Sequence, residues 1–139
     1  MTEDEARSRF ETARVARLAT VDGRGRPHVV PVTFDARGDS IVIAVDHKPK
    51  RTTDLKRLRN IRGNPHVSVL VDHYEDDWTA LWWVRADGTA RVVEDEGERA
   101  ERVRRLQSRY RQYRDVVPAG PVISITVTAW TGWSYSQVT

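Results

Sequence analysis

The 139-residue chain has no cysteine, so it has no disulfide, no thiolate nucleophile and no thiolate metal site. Its four histidines, at 28, 47, 66 and 73, form no i, i+4 pair, which removes the simplest helical zinc arrangement. There is no apolar run long enough to span a bilayer and no signal peptide, so no membrane association is expected and the cytoplasm is the default location. No Gly-x-Gly-x-x-Gly follows a strand and no Gly-rich loop ends in Lys-Ser/Thr, which argues against a Rossmann or P-loop phosphate site. The acidic stretch Asp72, Glu75, Asp76, Asp77 lacks the ligand spacing and fixed glycine of a calcium loop and is read as a solvated turn.

What is present fits one soluble domain over residues 1–139. Hydrophobic residues make up 39% and charged residues 31% of the chain, enough for one core. Thr2-x-x-Glu5 has capping-box spacing, so residues 3–12 are expected to be helical, with Phe10 as an apolar anchor. Val15–Val21 and His28–Phe34 read as strands around the turn Asp22-Gly23-Arg24-Gly25-Arg26-Pro27. Pro31 removes a ladder donor, which confines its strand to an edge or a bulge. Asp35–Asp39 turns the chain into Ile41–Val45, and these three strands read as a meander. Further strands are expected at His66–Asp72, buried on most of both faces, at Trp78–Arg85, at Thr89–Val93 after an Asp87-Gly88 hairpin turn, and at Val122–Thr128. Thr53–Ile61 and Glu94–Tyr113 read as helices. The second has acids early and arginines late, in keeping with its dipole, and a stripe of Val103, Leu106, Tyr110 and Tyr113. The result is a mainly β (α+β) architecture: six to seven mostly antiparallel strands in a small barrel with two to three helices.

The charge is local. From His47 to His66 there are seven Lys/Arg and one acid, Asp54, although the whole chain carries only +3. This segment links a β-branched strand to a helix. Pro49 holds Lys48 out of the helical region, and Thr52 or Thr53 is placed to cap the helix, with Asp54 in its first turn. Lys50 and Arg51 then stand at a helix mouth, where free N–H groups and the positive dipole end favour an anion. On the helix body, Lys56, Arg57 and Arg59 read first as a solvated basic face. The basic residues lack interleaved aromatics, so a nucleic-acid surface is not expected. Five tryptophans, at 78, 82, 83, 130 and 133, exceed what a core of this size needs; such density suits an interface or a flat-ring pocket as well as packing.

Two stretches carry a resemblance. Leu18-Ala19-Thr20-Val21-Asp22-Gly23 followed by Arg26-Pro27-His28-Val29-Val30-Pro31-Val32-Thr33-Phe34 resembles the flavin-binding split β-barrel superfamily that includes pyridoxamine-phosphate oxidase. Lys50-Arg51-Thr52-Thr53-Asp54-Leu55, with Asn64-Pro65-His66-Val67-Ser68-Val69-Leu70-Val71-Asp72, is similar to its actinobacterial branch of coenzyme F-420 (deazaflavin) dependent oxidoreductases. The resemblance implies a homodimer with cofactor sites at the interface. It implies that Pro31, Val32, Thr33 and Phe34 run beside a flat ring, and that Lys50, Arg51 and Thr52 hold a phosphate. By the same resemblance Lys48, with Lys56 or Arg57, meets the acidic tail of F-420, a tail that FMN lacks. Trp78 and Thr79, with Trp130 or Trp133 of a partner chain, are implied near the ring or the substrate. The activity implied is hydride transfer between reduced F-420 and a small electron-poor substrate, with no side chain assigned as catalytic. His73, Tyr74 and Tyr135 could supply a proton if close to the substrate, but each reads first as structural. An FMN-binding oxidase-like protein of the same fold and a non-enzymatic F-420 carrier are the alternatives. The arginines that hold substrate phosphate in pyridoxamine-phosphate oxidases near the C-terminus have no counterpart, since the last basic residue is Arg114.

Overall fold

The computed structural model describes residues 1–45 and 55–137. The first helix, α1 (Glu3–Thr12), starts at the expected capping box: the Glu5 N–H donates to the Thr2 hydroxyl at 3.1 Å and the Thr2 N–H to the Glu5 carboxylate at 3.0 Å. Strands β1 (Ala16–Val21) and β2 (Pro27–Val32) form a hairpin. Its turn is built on Asp22, which accepts from the N–H groups of Arg24 and Arg26, while Gly25 takes a positive φ of 77° that side chains rarely adopt. A second hairpin joins β3 (Asp35–Arg37) to β4 (Ser40–Ala44). Then come α2 (Lys56–Gly63), β5 (His66–His73), β6 (Trp82–Val93), α3 (Glu96–Arg109), α4 (Arg111–Asp115) and β7 (Val122–Ser134). Short 3-10 turns occupy Trp78–Ala80 and Tyr135–Gln137.

The seven strands of the described residues form one antiparallel sheet in the order β2-β1-β5-β6-β7-β4-β3. The first and last members of that order, β2 and β3, are consecutive in the chain. Only Thr33 and Phe34 separate them, a link of at most about 11 Å. The sheet must therefore curl until its two edges nearly meet, which gives a barrel open along one seam. The main core fills this curl: Leu18, Ile41, Ile43, Val69, Val71, Val84, Ile123 and Ile125 project inward, and Phe10 and Phe34 pack at 5.0 Å between ring centroids beneath α1. Outside the barrel, Val42 and Ala44 of β4 pack under Val103 and Leu106 of α3 and under Tyr110 just past its end in a second core. Asn60 anchors α2 through a buried hydrogen bond, 3.0 Å, to Thr20 of β1.

The mainly β split-barrel reading holds, and Pro31 does sit on an edge strand. Several details of the reading change. The first three strands are not a meander, because β2 and β4 lie near opposite edges of the sheet. The strand buried on both faces is β4, covered by the barrel core and by α3; β5 alternates, with Val67, Val69 and Val71 inward and Leu70 outward. Asp87-Gly88 is a bulge within the continuous β6 and not a hairpin turn. There Ser68 and Arg85 hold the Asp87 carboxylate at 2.6 and 3.1 Å. The strand expected from Trp78 starts at Trp82, since Asp77 caps a 3-10 turn with its carboxylate on the Thr79 N–H and hydroxyl. The final strand runs on to Ser134 beside β6. The long helix divides at Tyr110, whose backbone turns extended at φ −121° and ψ 117°, giving four α-helices among the described residues. The helix expected from Thr53 starts at Lys56, with Leu55 at its N-cap; the capping proposed for Thr52 or Thr53 lies outside the described residues. Among those residues, no helix is long and apolar enough to cross a membrane.

Candidate functional site at the barrel seam

The seam is held by the end of the α3–α4 region. The Tyr110 hydroxyl accepts from the Phe34 N–H at 3.2 Å, and its proton lies between the carbonyls of Arg14 and Phe34, at 2.9 and 3.0 Å. Arg109 donates to the Phe34 carbonyl at 3.1 Å and to that of Ala13, with its guanidinium 4.7 Å from the Phe34 ring centroid. The hydroxyls of Thr33 and Tyr113 are hydrogen-bonded at 2.7 Å. Each buried carbonyl and N–H of the two-residue crossover that is bonded in this way avoids the cost of an unpaired polar group.

Beside this crossover the seam opens into a cavity of about 300 Å³. One wall is Pro31, Val32 and Thr33 as β2 ends; the other includes Ala44 of β4, with Val15, Tyr113 and Arg57 completing it. β2 is an edge strand, so one side of its backbone has no ladder partner among the described residues. Arg57 brings a cation from the first turn of α2, a turn with no acidic side chain and no side-chain cap. The mouth of α2 is positioned by Lys56, whose ammonium is 3.5 Å from the Asp22 carboxylate. That carboxyl is held down to about 2, first by the Arg26 and then by the Arg24 backbone N–H, with Lys56 adding to the effect. The cavity thus combines the apolar side chains of Val15, Pro31, Val32 and Ala44 with the hydroxyls of Thr33 and Tyr113 and one cation, Arg57.

Of the residues singled out in the sequence, Pro31, Val32 and Thr33 line this slot. Phe34 is fully buried, and its backbone, not its ring, serves the seam. Lys48, Lys50, Arg51 and Thr52 lie outside the described residues. Trp78 stands on the turn before β6, 59% exposed, next to Thr79. Trp130 is engaged within its own chain: its indole N–H donates to Asp39 at 2.9 Å and Phe10 packs edge-on at 5.2 Å. Trp133 pairs across the sheet with Trp83. None of these tryptophans lines the seam cavity within one chain. Val15, Ala44 and Tyr113 were not foreseen as lining residues. Tyr113 belonged to the helix stripe and carried no signal beyond packing, and Ala44 is placed only by the pairing of distant strands.

A second depression, about 480 Å³, lies on the outer sheet face. Val29, Leu70 and Trp83 supply its apolar surface. Arg17 with Asp72 and Arg85 with Asp87 supply charges of both signs, paired at 3.9 and 3.1 Å.

A curled antiparallel sheet with a seam between its edge strands and helices packed outside it defines a split β-barrel protein. The chain belongs to the pyridoxamine 5'-phosphate oxidase family, whose model matches residues 2–134. Among curated proteins there is no match. Solved structures share the fold. A FAD-binding protein from Mesorhizobium loti has a TM-score of 0.74 at 21% identity, over 95% of this chain and 94% of that one. A conserved hypothetical protein from Mycobacterium tuberculosis has a TM-score of 0.77 at 20% identity, over 97% and 86%. The heme storage protein HutZ from Vibrio cholerae has a TM-score of 0.70 at 20% identity, over 94% and 90%.

Proposed function

We propose that this chain is an oxidoreductase that binds a flavin-type cofactor along the seam, and that the cofactor is coenzyme F-420. The observation that carries the reading is the slot itself: an edge strand interrupted by Pro31, an apolar wall, and Arg57 at the mouth of α2. Such a slot fits a flat ring with an anionic side chain. Val15, Val32 and Ala44 would exclude water from the ring, and the backbone of Pro31–Thr33 would meet its polar edge. Arg57 would face the anionic part, joined by Lys50, Arg51 and Thr52 for the phosphate and by Lys48 and Lys56 for an acidic tail. Tyr113 holds the Thr33 hydroxyl in place in the slot's lining. When bound and reduced, such a group supplies a hydride to an electron-poor acceptor. The chain's share is to hold, shield and orient, and no side chain is assigned as acid or base.

Family membership supports a flavin-type ligand, and the excess of basic residues between 47 and 66 beyond one phosphate site supports F-420 over FMN. The FAD-binding name of the Mesorhizobium loti structure favours an ordinary flavin as the second reading, and the heme storage name of HutZ favours a carrier without turnover as a third. The apolar and charged outer face of the sheet supports a homodimer as the working unit.

The test is a side-by-side titration with F-420 and FMN followed by ligand fluorescence. The expected result is tight binding of F-420, weak binding of FMN, and loss of about 1.5–3 kcal/mol per charge-assisted contact in Lys50→Ala and Arg51→Ala. Preference for FMN would move the chain to the flavin oxidases. F-420 binding without turnover across a panel of enones and quinones would make it a carrier.

A further inference from the structure

Another cavity, about 490 Å³, is lined by Arg14, Thr33, Tyr110, Gln112 and Tyr113. Thr33 and Tyr113, joined by their 2.7 Å hydrogen bond, line both this chamber and the seam slot, so the two adjoin there. The chamber's lining holds one cation and no carboxylate. Arg14 is held in place rather than loose. One of its terminal nitrogens donates to the Arg109 carbonyl at 3.1 Å, its guanidinium sits 4.8 Å from the Tyr110 ring centroid, and its own carbonyl accepts from the Tyr110 hydroxyl. Among the described residues, no carboxylate lies within ion-pair distance of Arg14 or of its neighbour Arg109. The remaining guanidinium N–H groups of Arg14 therefore have capacity for a forked anion. Gln112 adds an amide, and the rings of Tyr110 and Tyr113, edge to face at 5.7 Å, give the chamber aromatic walls.

We infer that this chamber binds a small aromatic carboxylate, with Arg14 holding the carboxylate and the tyrosines holding the ring, next to the slot assigned to the cofactor. The assignment rests on the proposed function for its role as a substrate site, but the binding itself does not. A carboxylate on Arg14 leaves the rest of the molecule in the chamber beside Thr33 and Tyr113, which also line the slot. Arg14 is then a specificity residue: it selects anionic over neutral aromatic molecules of the same shape.

Benzoate and its neutral isostere benzamide are the probes. Both are titrated into the ligand-free full-length protein, followed by calorimetry and by the NMR signals of the Gln112 side-chain amide and the Tyr113 N–H. Benzoate is expected to shift both signals and to bind at least tenfold more tightly than benzamide. Arg14→Gln should remove that preference while Arg91→Gln, an exposed arginine paired with Glu98, keeps it. Equal binding of the two probes by the wild-type protein, benzoate shifts confined to other residues, or an unchanged preference in Arg14→Gln would overturn the assignment. The comparison on the wild-type protein stands even if the variant folds poorly. A cofactor titration of the same samples separates the two readings. Arg14-dependent benzoate binding in a protein that takes neither F-420 nor FMN would uphold the chamber and sink the cofactor slot.

Discussion

At the residue scale, the connection between the β1–β2 turn and the mouth of α2 rests on one carboxylate. Asp22 accepts two backbone N–H groups and faces Lys56, and folding lowers its pKa to about 2 from an ordinary value of 3.8. The ionised form is thus the one the fold favours. Its contribution is complete above the unfolded value and is lost as the pH falls through about 2. Asp22→Asn should melt below the wild type at pH 5, and the gap should close progressively toward pH 2; a gap constant across that range would show that the carboxylate's charge is not what the turn uses. Tyr110 is the other residue on which much converges, since a single hydroxyl satisfies groups of both Arg14 and Phe34. Its helix spacing marks it as core, and burial bears that out, but nothing in that spacing announces the seam it closes.

At the scale of elements, Gly88 shows how a turn signal and a bulge signal coincide. Asp-Gly is a strong hairpin dipeptide, yet here the chain continues through it as β6. A Cβ at Gly88 would stand 2.2 Å from the Thr126 carbonyl oxygen, a backbone atom that cannot swing aside. Gly88→Ala should therefore destabilise by about 1–3 kcal/mol, read by urea unfolding. Gly23→Ala, where a Cβ meets nothing within 4 Å, should stay within about 0.5 kcal/mol. The elements legible in the sequence were those with a local cause: the Thr2–Glu5 cap, the Asp22 turn, and the edge position forced by Pro31. Those misread depend on partners far away in the chain. The burial of both faces of β4 needs α3, the continuity of β6 needs β7, and the break at Tyr110 needs the carbonyls of Arg14 and Phe34. The candidate site followed the same division. Pro31, Val32 and Thr33 were named through the family resemblance, and the proline itself marked only an edge or a bulge, whereas Val15, Ala44 and Tyr113 meet them only through the curl of the sheet.

For the whole molecule, the outer sheet face sets the expected assembly. Val29 at 60% and Leu70 at 36% exposure lie with Trp83 among charges of both signs, a composition that a second copy related by a two-fold axis can satisfy patch on patch. Sedimentation at micromolar concentration should give a dimer for the wild type and a monomer for Leu70→Asp combined with Trp83→Glu; a wild-type monomer would remove the interface from the proposal. The strand order carries a kinetic consequence as well. Closing the sheet requires Ser40 to find Thr126, and Arg17 to find Leu70, so the ordering entropy of long chain segments must be surrendered before those ladders repay it. The β1–β2 and β3–β4 hairpins can form early, but they end up at opposite rims and stabilise each other only once β7 arrives from the far end of the chain. Folding should then be slow for a protein of this size, with the last strand as the gatekeeper. A ribosome would have to release the chain through Ser134 before the native topology became available.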